Sequence, residues 1–84
     1  MIVKIFWQEN CSRCPTVKEL GKKLERNGIK VEYHDVSTAD GLAEAMFYDV
    51  LSTPSLIITD DEKKEMAAWK GETPNVKEVK KFFS

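Results

Sequence analysis

The chain of 84 residues carries 13 basic and 14 acidic side chains, for a net charge of −1, and 42% of its residues are apolar. This length fits one small domain spanning residues 1–84, and the apolar content argues against a disordered chain. The charge is balanced and no basic stripe is interleaved with aromatic residues, so a nucleic-acid partner is not expected.

The apolar runs are also much shorter than the ~20 residues that span a bilayer, so a membrane partner is not expected either. The N-terminal run covers residues 2–7, is broken by Lys4, and has no small-residue cleavage site after it, unlike a secretory signal. We therefore expect a cytoplasmic protein. In that compartment two close cysteines are more often catalytic or metal-binding than structural.

The first half of the chain predicts a strand, a helix and a second strand. Residues 2–7 are apolar apart from Lys4, which is typical of a central strand covered on both faces. Residues 12–27 show helical periodicity. Residues 30–36 alternate between apolar and polar side chains more than the first strand does, which indicates a strand at or near the edge of the sheet.

A second helix is predicted over roughly residues 39–50, with Ser37 or Thr38 as its N-cap. Its apolar residues at helical spacing predict the face that packs on the sheet. These residues are Ala43, Met46, Phe47 and Val50.

The last third predicts a β-hairpin and a final helix. Residues 55–59 form a short buried strand and residues 64–69 the returning strand. The final helix runs to about Phe83, and either Thr73 or Asn75 is its N-cap. The predicted order is βαβαββα, an α/β fold with a four-stranded mixed sheet and three flanking helices, in which the first two strands are parallel.

Two cysteines, Cys11 and Cys14, follow the first strand three positions apart, and the sequence has no others. Cys11 comes just before or at the first turn of a helix, where unpaired backbone N–H groups favour the reactive thiolate. Arg13 adds positive charge there, and Glu9 opposes its effect. A thiol three residues further on can reach the first. The spacing therefore permits attack on a disulfide by Cys11 and resolution of the mixed disulfide by Cys14.

Metal sites are the main alternative for this cysteine pair. A closed zinc site needs four ligands, and His34 adds only one to the two thiols. Copper-carrying domains of the ferredoxin-like kind also have Cys-x-x-Cys after their first strand. They carry methionine where this chain has Glu9, and they end in a strand. A metal-binding or metal-transfer module that uses the two thiolates for Cu(I) or Zn remains the alternative function.

A Cys-x-x-Cys that follows a strand and opens a helix within a βαβ pattern is typical of a thioredoxin-like redox motif. The chain resembles the small thioredoxin and glutaredoxin family over nearly its full length. Residues 11–15, Cys-Ser-Arg-Cys-Pro, look like the family's active site, and residues 52–55, Ser-Thr-Pro-Ser, look like its cis-proline loop. Gly71 matches a family glycine near the active-site surface.

The resemblance implies a thioredoxin fold and thiol–disulfide exchange, with a redox-active disulfide in place of a bound cofactor. It implies that Pro54 is cis and packs against the cysteine pair, and that Thr53 offers its backbone to an extended substrate. Ser12, Arg13 and Gly71 complete the implied substrate-binding residues. The implied partners are disulfide-containing client proteins and, as reductant, a thioredoxin-reductase-like flavoenzyme or a low-molecular-weight thiol.

The active site departs from both branches of this family. Thioredoxins usually have Trp before the first cysteine and Gly-Pro between the two, where this chain has Asn10 and the pair Ser12 and Arg13. Ile5 stands at the position of their buried acidic residue. Glutaredoxins usually have Pro-Tyr between the cysteines and a Gly-Gly pair where this chain has a single glycine. The sequence therefore leaves the branch and the electron donor open.

Overall fold

The computed structural model describes residues 1–83, which form a mixed four-stranded sheet in the order β2-β1-β3-β4. The strands are β1 (Ile2–Trp7), β2 (Val31–Asp35), β3 (Ser55–Thr59) and β4 (Glu65–Lys70). The helices are α1 (Cys14–Arg26), α2 (Ala39–Phe47) and α3 (Val76–Lys80). The predicted βαβαββα order and four-stranded mixed sheet are confirmed. Within residues 1–83, no helix has the length and apolar character needed to cross a membrane.

β1 lies at the centre of the sheet, parallel to β2 and antiparallel to β3. Side chains alternate between the two faces of a strand, so Val3 and Ile5 contact the layer of α1 and α3, whereas Phe6 contacts the layer of α2. Both faces are covered, which is why the run is apolar almost throughout. β2 is an edge strand, as its alternating sequence predicts.

Each face of the sheet has its own apolar core. Fully burying one large aliphatic or aromatic side chain contributes about 1.5–3 kcal/mol, so both cores matter for a domain of this size. The core beneath α1 and α3 contains Val3, Ile5, Val17, Leu20, Leu24, Leu56, Ile58 and Val79. The core beneath α2 contains Phe6, Ala45, Tyr48, Val50 and Ile57.

The predicted packing face of α2 is wrong for Ala43, Met46 and Phe47, which are exposed, whereas Val50 is buried as predicted. Met46 and Phe47 are 66% and 71% exposed, and the helix ends at Phe47 rather than near residue 50. The side that packs on the sheet carries Gly41 and Ala45 instead. A Cβ at Gly41 would lie 1.9 Å from the carbonyl oxygen of Asp35, so only small residues allow this close approach to the backbone at the end of β2. The larger apolar residues are thereby turned outwards.

The N-caps of α2 and α3 are residues that the sequence predicted as candidates. Thr38 caps α2, and its side-chain oxygen accepts a hydrogen bond from the N–H of Gly41 at 3.0 Å. Asn75 rather than Thr73 caps α3, and its Oδ1 accepts from the N–H of Glu78 at 2.9 Å. α3 is shorter than predicted because it ends at Lys80, and a turn continues the chain towards Phe83.

We expect Gly41→Ala to destabilise the protein by about 1–3 kcal/mol, because the added methyl group forces α2 away from the backbone of Asp35. Urea unfolding followed by circular dichroism measures this loss. Gly28→Ala is the matched control, since a Cβ there meets no atom within 4 Å and only the positive φ of 79° resists it. Equal midpoints for Gly41→Ala and the wild type would contradict the close-packing explanation.

Candidate active site

Cys11 and Cys14 form a disulfide, with their Cα atoms 5.4 Å apart. Cys14 is buried, at 2% exposure, whereas Cys11 is only half-buried. α1 begins at Cys14 itself rather than at residue 12, and the N–H of Cys14 donates to the carbonyl oxygen of Cys11 at 3.3 Å. Cys11 therefore lies in the turn that leads into α1, on the accessible side of the disulfide.

The loop at residues 52–55 lies at the same end of the sheet as the C-terminal end of β1. Phe6 pairs with Ser55 in the antiparallel register of β1 and β3, which puts the start of β3 beside the end of β1. The Thr53-Pro54 peptide bond is cis, as the resemblance implies, and Pro54 is buried. The contact of Pro54 with the sulfur atoms stays a prediction.

Gly71 is tied to this loop by hydrogen bonds. Its N–H donates to the Oγ of Ser55 at 3.0 Å, and the Ser55 hydroxyl donates to the carbonyl oxygen of Ser52 at 2.7 Å. A Cβ at Gly71 would lie 2.9 Å from the Oγ of Ser52, and the φ of Gly71 is 78°. This position therefore favours glycine both for its close approach and for its backbone conformation.

Two pockets that share Gln8 lie at this end of the molecule, and one of them is lined by the disulfide. The larger pocket, about 370 Å³, is lined by Trp7, Gln8, Glu9, Asn10, Cys11, Cys14, Pro15 and Lys18. The smaller pocket, about 130 Å³, is lined by Gln8, Val36, Leu42, Ala45, Val50, Leu51, Ser52 and Thr53. Because Gln8 lines both pockets, the surface beside the cysteines continues into the surface beside the cis-proline loop.

A lysine that sequence reasoning missed borders the larger pocket. The Nζ of Lys18 lies 3.2 Å from the centre of the Trp7 ring, in a cation–π contact. Lys18 lies one helical turn after Cys14 in α1, and Trp7 ends β1 just before the cysteine loop. The spacing from Cys14 could have suggested Lys18, but its pairing with Trp7 depends on how α1 lies across the sheet. The contact holds a positive charge beside the disulfide.

Fold and motif point to the same family. The sequence profile of the thioredoxin domain matches residues 1–84. The chain belongs to the thioredoxin-domain family. No curated protein sequence matches it significantly. Together, the thioredoxin-like fold and the Cys-x-x-Cys disulfide indicate a thiol–disulfide redox function.

Solved thioredoxin structures share this fold at low sequence identity. Thioredoxin 1 from Thermosipho africanus has a TM-score of 0.77 and 20% identity, with 99% of this chain and 90% of that one covered. Thioredoxin-2, a component of the malaria parasite protein secretion machinery, has a TM-score of 0.80 and 22% identity, with 98% of this chain and 79% of that one covered. At such identities the likeness shows the fold alone.

The other predicted site residues differ in their exposure and in the pocket that they line. Ser12 and Arg13 are exposed in the turn between the two cysteines, and the half-buried Thr53 lines the smaller pocket. Ile5, at the position of the family's buried acid, is fully buried in the core beneath α1 and α3. The contacts of Ser12, Arg13, Thr53 and Gly71 with a substrate stay predictions.

Beneath α2 lies a cluster of charged side chains that the sequence did not predict. Lys4 is 5% exposed, and its Nζ donates to the Oε1 of Glu32 at 2.9 Å and to the Oε2 of Glu44 at 2.5 Å. His34 Nε2 lies 3.0 Å from the same Glu32 oxygen, and its ring stacks on Phe6. A buried lysine in the central strand is thus matched by two carboxylates.

This cluster also contains the group of side chains within residues 1–83 whose geometry could hold a metal ion. The group is Glu32, His34 and Glu44, and neither cysteine belongs to it. The Lys4 ammonium bonds to both carboxylates, so a cation there would compete with it. The cluster is accordingly an ion-pair network.

The ion pairs shift the titration of their members. The hydrogen bond from Lys4 holds the pKa of the Glu32 carboxyl below its usual value, and His34 acts in the same direction against partial burial. Burial disfavours the charged form of Lys4, but its hydrogen bonds to Glu44 and Glu32 outweigh burial and raise the pKa of Lys4. The network therefore stabilises the folded state when Lys4 and Glu32 are both charged.

We expect Lys4→Met to cost about 1–3 kcal/mol at neutral pH, because it leaves two facing carboxylates without their cation. The value is modest because the Glu32 and Glu44 side chains are 34% and 30% exposed. The lowered pKa of Glu32 means that its contribution is present above its usual value of 4.5 and lost as pH falls through the folded-state value. The difference from wild type should therefore shrink on acidification to about pH 3.

Urea unfolding at about pH 7, 5 and 3 measures this prediction. Lys22→Met, at an exposed position of α1, is the control and should change stability by less than about 0.5 kcal/mol. A pH-independent difference between Lys4→Met and wild type would contradict the ion-pair explanation.

Proposed function

We propose that the protein is a thiol–disulfide oxidoreductase that reduces or exchanges the disulfides of protein or small-molecule partners through the dithiol of Cys11 and Cys14. The observation that carries this proposal is the disulfide between an accessible Cys11 and a buried Cys14 at the start of α1. Such an arrangement gives the two sulfur atoms different access to a partner, which a two-step exchange requires.

In the first step the Cys11 thiolate attacks one sulfur of the client disulfide. A bond forms between Cys11 and that sulfur, the client S–S bond breaks, and the second client sulfur leaves with the electron pair and is protonated by water. The unpaired N–H groups at the start of α1 favour the thiolate. Arg13, in the turn, and Lys18, over Trp7, add positive charge around it.

In the second step the Cys14 thiolate attacks Cys11 Sγ. The bond between Cys11 and the first client sulfur breaks, that sulfur leaves as a thiolate, and the Cys11–Cys14 disulfide forms, so that two electrons have passed to the client. Ile5 offers no carboxylate to accept the Cys14 proton. Cys14 lines the larger pocket, which is open, so its proton leaves to water there.

The client binds across the end of the sheet that carries the active-site turn, the loop at residues 52–55 and Gly71. The register of β1, β3 and β4 supports this, because Ser55 pairs with both Phe6 and Lys70. Thr53 and Pro54 guide an extended client, with Ser12, Arg13 and Gly71 around it. A thioredoxin-reductase-like flavoenzyme or a low-molecular-weight thiol then returns the disulfide to the dithiol in a cytoplasmic, reducing setting.

Reduction of insulin tests this function. The chain is first reduced with dithiothreitol, freed of it, and mixed with insulin, and consumed thiols are counted. Two further assays supply electrons continuously, one from thioredoxin reductase with NADPH and one from glutathione with glutathione reductase. We expect stoichiometric reduction in the first assay and turnover in at least one of the others. No reduction in any of them, with tight binding of Cu(I) or Zn, would instead support the metal-binding module.

A further inference from the structure

The outer side of α2 exposes apolar residues that the core does not use. Leu42, Met46, Phe47 and Leu51 are 49%, 66%, 71% and 93% exposed, and we name these four residues the α2 apolar face. Leu42 and Met46 are one helical turn apart, Phe47 follows Met46 directly, and Leu42 and Leu51 line the same pocket. Single exposed apolar side chains are ordinary, but a contiguous group of them is typical of an interaction surface.

The chain segment that contains this face is acidic. From Val31 to Glu62 the chain has no lysine or arginine. The same stretch contains the acidic residues Glu32, Asp35, Asp40, Glu44, Asp49, Asp60, Asp61 and Glu62. Asp40 in the first turn of α2 and Asp49 just after the helix are both exposed. A partner with positive charge beside its apolar residues would complement this surface.

Part of the α2 apolar face borders the pocket next to that of the cysteines. Leu42 and Leu51 line the smaller pocket together with Thr53 and Gln8, and Gln8 also lines the pocket that contains the cysteines. A polypeptide whose cysteine is at Cys11 can therefore follow the surface past Gln8 and Thr53 and reach the face. A small disulfide cannot extend that far.

We propose that the α2 apolar face binds the segment of a client polypeptide next to its disulfide cysteine, and that it selects segments in which aliphatic or aromatic residues alternate with lysine or arginine. The inference rests on the proposed disulfide exchange and adds a preference among its clients. Apolar contacts supply the affinity, while Asp40 and Asp49 favour basic over acidic segments.

Matched peptide disulfides test this preference. One peptide places leucine and lysine residues after its cysteine, and the other places serine and glutamate there. Hydroxyethyl disulfide is the substrate that is too small to reach α2. We expect wild-type kcat/KM to be about tenfold higher for the basic apolar peptide, as burial of one or two anchor residues allows. The double variant Met46→Ser/Phe47→Ser should lose that advantage and keep its activity with hydroxyethyl disulfide.

Two further variants make the result specific. Met66→Ser removes a 48% exposed methionine from β4, outside the proposed surface, and should behave as wild type. Asp40→Asn/Asp49→Asn should lower kcat/KM only for the basic peptide, by about threefold, and less at high salt. Equal kcat/KM for both peptides, or an unchanged preference in the double serine variant, would overturn the inference. Failure of the wild type to reduce hydroxyethyl disulfide would instead overturn the proposed function on which the inference rests.

Discussion

Replacing Cys11 with serine should lower the rate of insulin reduction by about a thousandfold or more, because a serine hydroxyl cannot replace the thiolate as nucleophile towards a disulfide. Cys11 is the accessible member of the pair, while Cys14 is 2% exposed and cannot meet a bulky client directly. Single-turnover reduction of insulin by the pre-reduced chain measures the loss.

Two variants serve as controls for Cys11→Ser. Thr16→Ala alters an exposed residue of α1 that has no assigned part in client binding, and it should keep its rate within about threefold of wild type. Cys14→Ser also lacks the disulfide, so it separates the effect of losing the cross-link from the effect of losing the nucleophile. A Cys11→Ser chain that still reduces insulin while Cys14→Ser does not would reverse the proposed roles.

Phe6→Ala should destabilise the fold by about 3–5 kcal/mol, the usual cost of removing a fully buried aromatic ring. Phe6 has no exposed surface, lies in the central strand and stacks on His34 with ring centres 5.3 Å apart. The total stability of a small domain is about 5–15 kcal/mol, so the variant should retain little of it. Urea unfolding followed by circular dichroism measures the change.

Phe47→Ala is the matched control, since it makes the same substitution at a residue that is 71% exposed. It should change the unfolding free energy by less than about 0.5 kcal/mol. Together, Phe6→Ala and Phe47→Ala also test the orientation of α2, because the sequence alone predicts that Phe47 is buried. Similar large losses in both variants would contradict the observed packing of the helix.

Local sequence signals predicted the elements well where the physical cause is itself local. The apolar run at residues 2–7 identified the central strand, because both faces of β1 are covered. Thr38 and Asn75 cap helices through hydrogen bonds to residues only three positions away. The cysteine pair could also be predicted from local sequence, because Cys11 and Cys14 are only three positions apart and therefore close in space.

The features that sequence reasoning missed depend on contacts between distant segments. Lys4 pairs with Glu32 and Glu44, which lie 28 and 40 positions along the chain, and a strand pattern does not reveal such partners. The face of α2 was predicted wrongly because apolar residues occur on both of its sides. What decides between the sides is the approach of Gly41 to the backbone of Asp35, which becomes visible only when helix and sheet are placed together.

The mass of the Cys14→Ser chain after reaction with a disulfide-linked peptide tests the two-cysteine mechanism most directly. Without Cys14 the mixed disulfide cannot be resolved, so we predict one peptide bound per chain, attached at Cys11 and released by dithiothreitol. Intact-mass spectrometry counts the adducts, and proteolysis of the trapped chain locates the attachment. A Cys14→Ser chain that forms no adduct with the peptide disulfide would contradict the role of Cys11 as the attacking nucleophile.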